Sequence, residues 1–177
     1  RKGNGMFLAT HGLSEYWPED QELVLLSPGC ITAKNKDYCE RRGYKVVPTL
    51  WDDPIWRETE SKYLVDVYEQ VLAQFHQAYQ KIFGQNLSAL EFRALMGSWF
   101  QHFIQVAYDR YVHIKLAFER FNISMMNSCE EENFKPPYDE PEFFECLCGD
   151  VYSLVLCGQI SKIIYPEIKF LSVNKSD

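Results

Sequence analysis

Residues 22–30 run Glu22-Leu23-Val24-Leu25-Leu26-Ser27-Pro28-Gly29-Cys30. Four apolar residues follow one another there without polar alternation, and Ser27-Pro28-Gly29 supplies turn chemistry behind them. A strand of that kind is covered on both faces, as in a parallel sheet flanked by helices. Phe7-Leu8-Ala9-Thr10 before it and Tyr44-Lys45-Val46-Val47-Pro48 after it also have strand length, with Gly12 and Pro48 as punctuation. Three parallel strands are the simplest arrangement, and the polar residues 30–43 hold a short crossover helix between the second and third. Ile168 to Val173 is a fourth short strand that returns to the sheet. The predicted fold class is α/β, a small parallel sheet of three or four strands with long helices.

The period changes after Asp53-Pro54. Leu64, Val67, Tyr68, Val71, Leu72, Phe75, Ala78, Tyr79 and Ile82 recur at helical spacing, so one long amphipathic helix is expected, stopped at Gly84. Ser88 and Glu91 have capping-box spacing and open a second long helix reaching Phe121, apolar around most of its circumference and so buried on more than one side. Residues 122–140, with Asn122, Ser124, Asn127-Ser128, Glu130-Glu131-Glu132 and Pro136-Pro137, have linker composition. A third helix starts at Pro141 and runs to Ile163-Ile164, ended by Pro166. The chain is expected to be a single domain over 1–177, strand-rich over 6–53 and helical over 54–166, and part of a longer polypeptide, because so few strands make an incomplete sheet.

Composition narrows the function classes. With 46% hydrophobic and 15% aromatic residues in 177, the chain can bury a core. Eighteen Lys and Arg against 25 Asp and Glu give a formal charge of -7, and no basic run is present to neutralise a phosphate backbone, which disfavours nucleic acid as a partner. No apolar stretch approaches the roughly 18–20 residues that span a bilayer. The apolar run near the amino terminus is too short for a secretory signal, so a cytoplasmic location is expected unless a signal has been removed. Six cysteines, at 30, 39, 129, 146, 148 and 157, are read as reduced thiols, while Asn-x-Ser sequons at Asn86, Asn122 and Asn174 favour the opposite compartment.

In an open parallel sheet, ligands collect beyond the carboxyl ends of the strands. That selects three loops: Thr10-His11-Gly12, Ser27-Pro28-Gly29-Cys30, and Thr49-Leu50-Trp51-Asp52-Asp53-Pro54. His11 is the candidate general base, since imidazole gives and takes protons near neutrality; the alternative is a loop histidine bonded to backbone. Gly29 could admit an anion to backbone amides, although Ser-Pro-Gly is also a plain turn. Asp53 before Pro54 has the pattern of a helix N-cap. Trp51 and Asp52 then remain, a flat aromatic face beside an acid, suited to sugar faces and hydroxyls. Adjacent carboxylates could instead hold a divalent cation, but no further oxygen ligands are placed for one.

Tyr108-Asp109-Arg110-Tyr111 lies inside an apolar helix, where charged residues need partners; a bracing role is favoured over direct catalysis. His102 and His113 share a helix face eleven residues apart, too far for one metal, and His76 is placed toward solvent. Cys146 and Cys148, two apart on a helix, face away from each other, so no zinc site is assigned.

Phe7-Leu8-Ala9-Thr10, Tyr16-Trp17, Leu25-Leu26-Ser27-Pro28-Gly29-Cys30, Val47-Pro48, Trp51-Asp52-Asp53, Gly97-Ser98-Trp99-Phe100 and Phe103 to Tyr111 together resemble the amino-terminal region of a family of transferases encoded in bacterial surface-polysaccharide and lipopolysaccharide gene clusters. Asp150-Val151-Tyr152 is similar to that family's later acidic-aromatic helix, with Tyr152-Ser153 where the family has Trp-Asn. The resemblance covers most of this chain in order and the front part of the family's length. It implies the amino-terminal lobe of a two-lobed, Rossmann-like (GT-B-like) glycosyltransferase, facing a carbohydrate acceptor. No cofactor is expected within this segment; the nucleotide-sugar donor would bind the missing carboxyl-terminal lobe, and a lipid-linked acceptor would bring peripheral membrane association.

On this reading His11 and Asp52 are catalytic, Thr10, Trp51, Asp53 and Arg110 bind substrate, no metal is held, and the segment alone is inactive. The alternative is a non-catalytic helical module that binds a partner protein or a second lobe through the aromatic second helix. A hydrolase or metal enzyme is the third possibility.

Overall fold

The computed structural model describes residues 5–129, 135, 137–147 and 149–173. The chain divides into two compact units, Leu50–Asp109 and the remainder, Arg1–Thr49 with Arg110–Asp177.

The larger unit is built on a five-stranded, all-parallel sheet. Its strands are β1 (Met6–Ala9), β2 (Leu23–Leu25), β3 (Lys45–Val46), β4 (Ile123–Cys129) and β5 (Lys169–Val173), in the spatial order β3-β2-β1-β4-β5. The chain steps outward from β1 to β3, then returns to the other side of β1, so the order reverses between β1 and β4. Such a reversal leaves a crevice at the carboxyl ends of the two strands, because their connections depart in opposite directions. The apolar run of β2 is covered on both faces as its composition requires: Leu23, Val24 and Leu25 are all buried. Phe7, Leu8 and Ala9 of β1 are also fully buried, packed with Ile114, Ala117, Met126 and Cys157.

Three sequence expectations need correction here. The sheet has five strands, not three or four, because β4 lies within the stretch read as a linker. Ile123-Ser-Met-Met-Asn-Ser-Cys has a single β-branched residue, Ile123, and no apolar run or alternation that identifies a strand, yet Met126, Asn127, Ser128 and Cys129 are buried. Residues 130–134 and 136 of that stretch lie outside the described residues, as do Cys148 and Asn174. The third helix is two, α4 (Glu140–Leu147) and α5 (Asp150–Ile164), separated at Gly149, whose backbone is extended (φ -84°, ψ 142°). Its N–H bonds back to the Cys146 carbonyl at 2.8 Å and closes α4. The crossover helix is α1 (Lys36–Arg42).

The smaller unit pairs α2 (Pro54–Phe83) with the first part of α3 (Ala89–Arg120), whose last part, from Arg110, belongs to the larger unit. Local chemistry sets both ends of the connection. Asp53 Oδ1 accepts the Ile55 and Trp56 N–H groups at 2.9 and 3.1 Å and caps α2. Gly84 ends it in the left-handed region (φ 63°) that a residue with a Cβ avoids. The capping box forms as the spacing predicts: Ser88 N–H to Glu91 Oε2 at 2.8 Å, Glu91 N–H to Ser88 Oγ at 3.3 Å. The two helices run antiparallel, with Phe75 set edge-on against Phe92 at 5.3 Å and Arg93 paired to Glu69. The second long helix is less enclosed than its sequence suggests, since Leu90 and Leu95 are 76% and 68% exposed. His76 is not on the solvent side either; it stacks on Phe92 and bonds the Leu87 carbonyl at 2.8 Å. No single helix among the described residues is long and apolar enough to cross a membrane.

Candidate active site

The crevice predicted by the strand order is occupied by a small cavity of about 120 Å³ in the larger unit. Thr10 and His11 follow β1, Ser27 follows β2, Arg110 comes from α3, and Asp150 and Ser153 come from the first turns of α5. Buried Asn35 fastens the first two loops together: its Nδ2 donates to the carbonyls of Gly12 at 2.8 Å and Cys30 at 3.0 Å, while its Oδ1 accepts from the Thr32 N–H at 2.7 Å. The Ser27 hydroxyl oxygen accepts from Gly29 N–H at 3.2 Å, shaping the turn after β2. The Cys30 thiol, pushed up from its ordinary pKa chiefly by burial, donates to the Ala9 carbonyl.

Asp150 is the acid of the site. Its Oδ1 accepts the Gly12 N–H at 2.5 Å, joining the first turn of α5 to the loop after β1. A Cβ at Gly12 would sit 2.5 Å from Thr32 Cγ2 and 3.2 Å from Asp150 Oδ1, so the bond depends on a glycine there. Carboxylates at the first turn of a helix are favoured by its dipole, and Asp150 occupies that position behind an N-cap, Gly149, that supplies no side-chain cap.

His11 is almost fully buried, and both of its ring nitrogens are engaged. Nδ1 accepts from the Leu13 N–H at 3.1 Å, and Nε2 lies 3.1 Å from Asn127 Oδ1. Asn127 Nδ2 donates to the Tyr16 carbonyl at 3.2 Å, which fixes the amide with its oxygen toward the imidazole. A backbone N–H can only donate, so Nδ1 is the acceptor and the ring proton sits on Nε2. Burial holds the His11 pKa below 6.5, against the opposing pull of the Asn127 bond and the charges of Asp150 and Glu15. The imidazole is therefore neutral at neutral pH, and neither nitrogen faces a substrate proton. The expectation that His11 is the base meets that obstacle; its geometry is that of a group positioning the β1 loop.

Thr10 differs from its neighbours. It is 3% exposed and lines the cavity, and its Oγ1 has no hydrogen-bond partner among the described residues. A buried hydroxyl left so costs roughly 1–3 kcal/mol unless something else satisfies it.

The structure thus brings Thr10, His11 and Arg110 together, whereas Trp51, Asp52 and Asp53 belong to the smaller unit. There Trp51 Nε1–H donates to Asp109 Oδ1 at 2.6 Å and the indole meets Trp56 edge to face at 4.8 Å. Asp109 thus braces the Trp51 loop. Trp51 also lines a cleft of about 580 Å³ with Leu64, Tyr68, Gln101, Ile104 and Gln105. Asp52 is exposed, and one carboxylate oxygen of Asp53 is occupied by its capping bonds. Among the described residues, no three His, Cys, Asp or Glu side chains are grouped to hold a metal ion. Asn35, Asn127 and the place of Asp150 in this cavity escaped the sequence reading, although the resemblance picks out Asp150-Val151-Tyr152 and Gly149-Asp150 ahead of an apolar run carries the signal of a helix start.

A parallel α/β domain with its ligand cavity at the reversal point of the strand order is a Rossmann-like domain, a fold shared by many chemistries. Residues 6–177 match the family described as LIC12162 family transferase, and the chain belongs to that family of transferases. No curated protein and no solved structure matches the chain.

Proposed function

We propose that this chain is the amino-terminal, acceptor-side lobe of a glycosyltransferase that passes a sugar from a nucleotide-activated donor to a cell-surface glycan. The donor binds outside this segment. The acceptor hydroxyl enters the cavity beyond β1 and meets Asp150, which removes its proton as the new glycosidic bond forms. Thr10 and Arg110 orient the same acceptor, and His11 holds the loop that carries Thr10.

The observation that carries this reading is the buried, unsatisfied Thr10 hydroxyl beside a carboxylate in one cavity. Both groups are suited to a substrate hydroxyl, and membership of a transferase family supplies the reaction type. The test is Asp150→Asn in the whole protein, assayed by nucleoside diphosphate release from a panel of nucleotide sugars. Asn keeps an oxygen for the Gly12 N–H, so folding is preserved, while loss of a general base lowers the rate by about 10²–10⁴-fold. Unchanged transfer, or loss of folding in parallel with activity, overturns the assignment.

A second reading, in which the smaller unit docks a partner protein, is favoured by the exposure of Ile55, Val65, Ile82, Phe83, Leu90 and Leu95. Monomeric behaviour in size-exclusion chromatography, without binding of a hydrophobic dye, counts against it.

A further inference from the structure

The turn that joins α2 to α3 turns its polar groups inward and apolar side chains outward. Ile82 and Phe83, in the last turn of α2, and Leu90, in the first turn of α3, are 73%, 63% and 76% exposed. His76 and Gln80 both bond the Leu87 carbonyl at 2.8 Å, the Tyr79 hydroxyl donates to Gln85 Oε1 at 2.8 Å, and the Gly84 N–H reaches the Gln80 carbonyl at 2.9 Å. Ser88 and Glu91 are occupied with each other in the capping box. Beneath them Leu87, Tyr79 and Phe75 pack on buried Phe92, all from the same two helices and their turn. The exposed residues therefore sit on a braced end, and covering them takes few hydrogen bonds away from water.

Charge and area select what covers them. Between Gln70 and Phe92 the charged side chains are Lys81 and Glu91, of opposite sign, and the half charges at the end of α2 and the start of α3 also oppose each other. The turn is close to neutral although the chain carries -7. Along the hairpin the next acids are Glu69, fourteen residues before Phe83 and paired to Arg93, and Asp109, nineteen after Leu90. At 1.5 Å per residue these stand about 21 and 28 Å away, beyond the ~8–10 Å over which charge is felt in physiological salt. The three exposed side chains offer roughly 400–500 Å², and about 600 Å² with Leu95 further along α3. A standard protein interface takes ~800 Å² from each partner. Ile55 and Val65 cannot enlarge the patch, since they lie about 40 and 26 Å back along α2 from Ile82. A bilayer asks for less, because a few side chains seated at its surface suffice for reversible attachment.

We propose that the α2–α3 turn is a membrane anchor, with Ile82, Phe83 and Leu90 entering the boundary between headgroups and acyl chains of a lipid bilayer. Lys81 and Asn86, both exposed, lie at the level of the headgroups. The anchor is independent of which group the transferase passes, so it stands or falls apart from the sugar-transfer reading.

The whole protein is mixed with phosphatidylcholine vesicles, and with vesicles in which about a quarter of the lipid is anionic phosphatidylglycerol, and the bound fraction is measured by sedimentation. Binding to both is expected, with little dependence on salt. Phe83→Ser weakens it about tenfold and Ile82→Ser/Phe83→Ser about a hundredfold, whereas Ile55→Ser at the far end of α2 leaves it unchanged. Phe83→Trp keeps the binding and adds emission that shifts to the blue and is quenched by brominated lipid. Melting curves establish that each variant is folded, and the Phe83→Trp signal preserves the test should the double variant fail to fold. No binding to either vesicle, binding that survives Ile82→Ser/Phe83→Ser, or binding confined to the anionic vesicles and abolished by salt overturns the proposal. An oligomer in size-exclusion chromatography that Phe83→Ser dissociates overturns it as well, and assigns the turn to a second copy of the chain.

Discussion

The pairing of His11 with Asn127 across 116 residues of sequence gives a prediction that separates a positioning histidine from a catalytic one. Asn127→Ala removes the acceptor of a buried imidazole N–H and the donor to the Tyr16 carbonyl. Stranding one buried donor and weakening a second bond costs about 2–4 kcal/mol. For a chain of this size that lowers Tm by roughly 5–15 °C, at about 2–4 °C per kcal/mol. His11→Ala costs a similar amount, about 2–4 kcal/mol, by stranding the Leu13 N–H and opening a gap beside Trp17, whose ring centroid lies 6.3 Å away. Because the two residues share one bond, the double variant loses less than the sum of the singles, by about 1–2 kcal/mol. Urea unfolding of the four proteins measures the cycle, and nucleoside diphosphate release is followed alongside. A positioning role requires Asn127→Ala to impair transfer as His11→Ala does. Additive stabilities, or transfer abolished in His11→Ala with stability intact and Asn127→Ala fully active, would refute the argument and return the base to His11.

The same residue sets a pH dependence. Its folded pKa is below 6.5, so as pH falls through 6.5 the unfolded chain takes up a proton that the folded chain refuses. Stability is therefore lost from pH 6.5 down to the folded pKa and levels off below it; His11→Gln should flatten that part of a Tm-against-pH curve. Gly12→Ala forces a Cβ against Thr32 and Asp150, and overpacking of this kind costs about 1–3 kcal/mol, read as a lowered urea midpoint. Asp53→Ala removes a two-bond N-cap and costs about 1 kcal/mol; unchanged transfer in this variant would leave Asp53 with its cap role alone.

What the sequence disclosed was what short-range chemistry determines. The unbroken apolar run of β2, the Asp53-Pro54 start and Gly84 end of α2, and the Ser88–Glu91 box all act within a few residues and formed as their spacing requires. The loops after β1 and β2 were placed at the site from strand polarity alone. What stayed hidden depends on partners far along the chain. Asp150 gains its place from an N–H 138 residues earlier, and nothing around it says which loop it meets. Gly149 signalled a possible break before it, but a lone glycine is tolerated inside helices at a cost of about 1 kcal/mol and marks an end only when the packing demands one.

The misread strand and the engagement of His11 have one cause. Residues 122–140 look like a linker from Asn122, Ser124, the Glu130–Glu132 run and Pro136-Pro137 as well as from Asn127 and Ser128, and of these Asn127 and Ser128 count most against β4, since polar side chains are unusual in a strand buried on both faces. Both are buried in β4, beside the point where the strand order reverses, and Asn127 is tolerated there because its amide is matched at both ends, to His11 and to Tyr16. An apolar residue at 127 would have left His11 with an unsatisfied N–H. The feature that disguised the strand is thus the one that fixes the histidine. Local rules broken at a site, with the compensation visible in its hydrogen bonds, are a pointer to function in their own right.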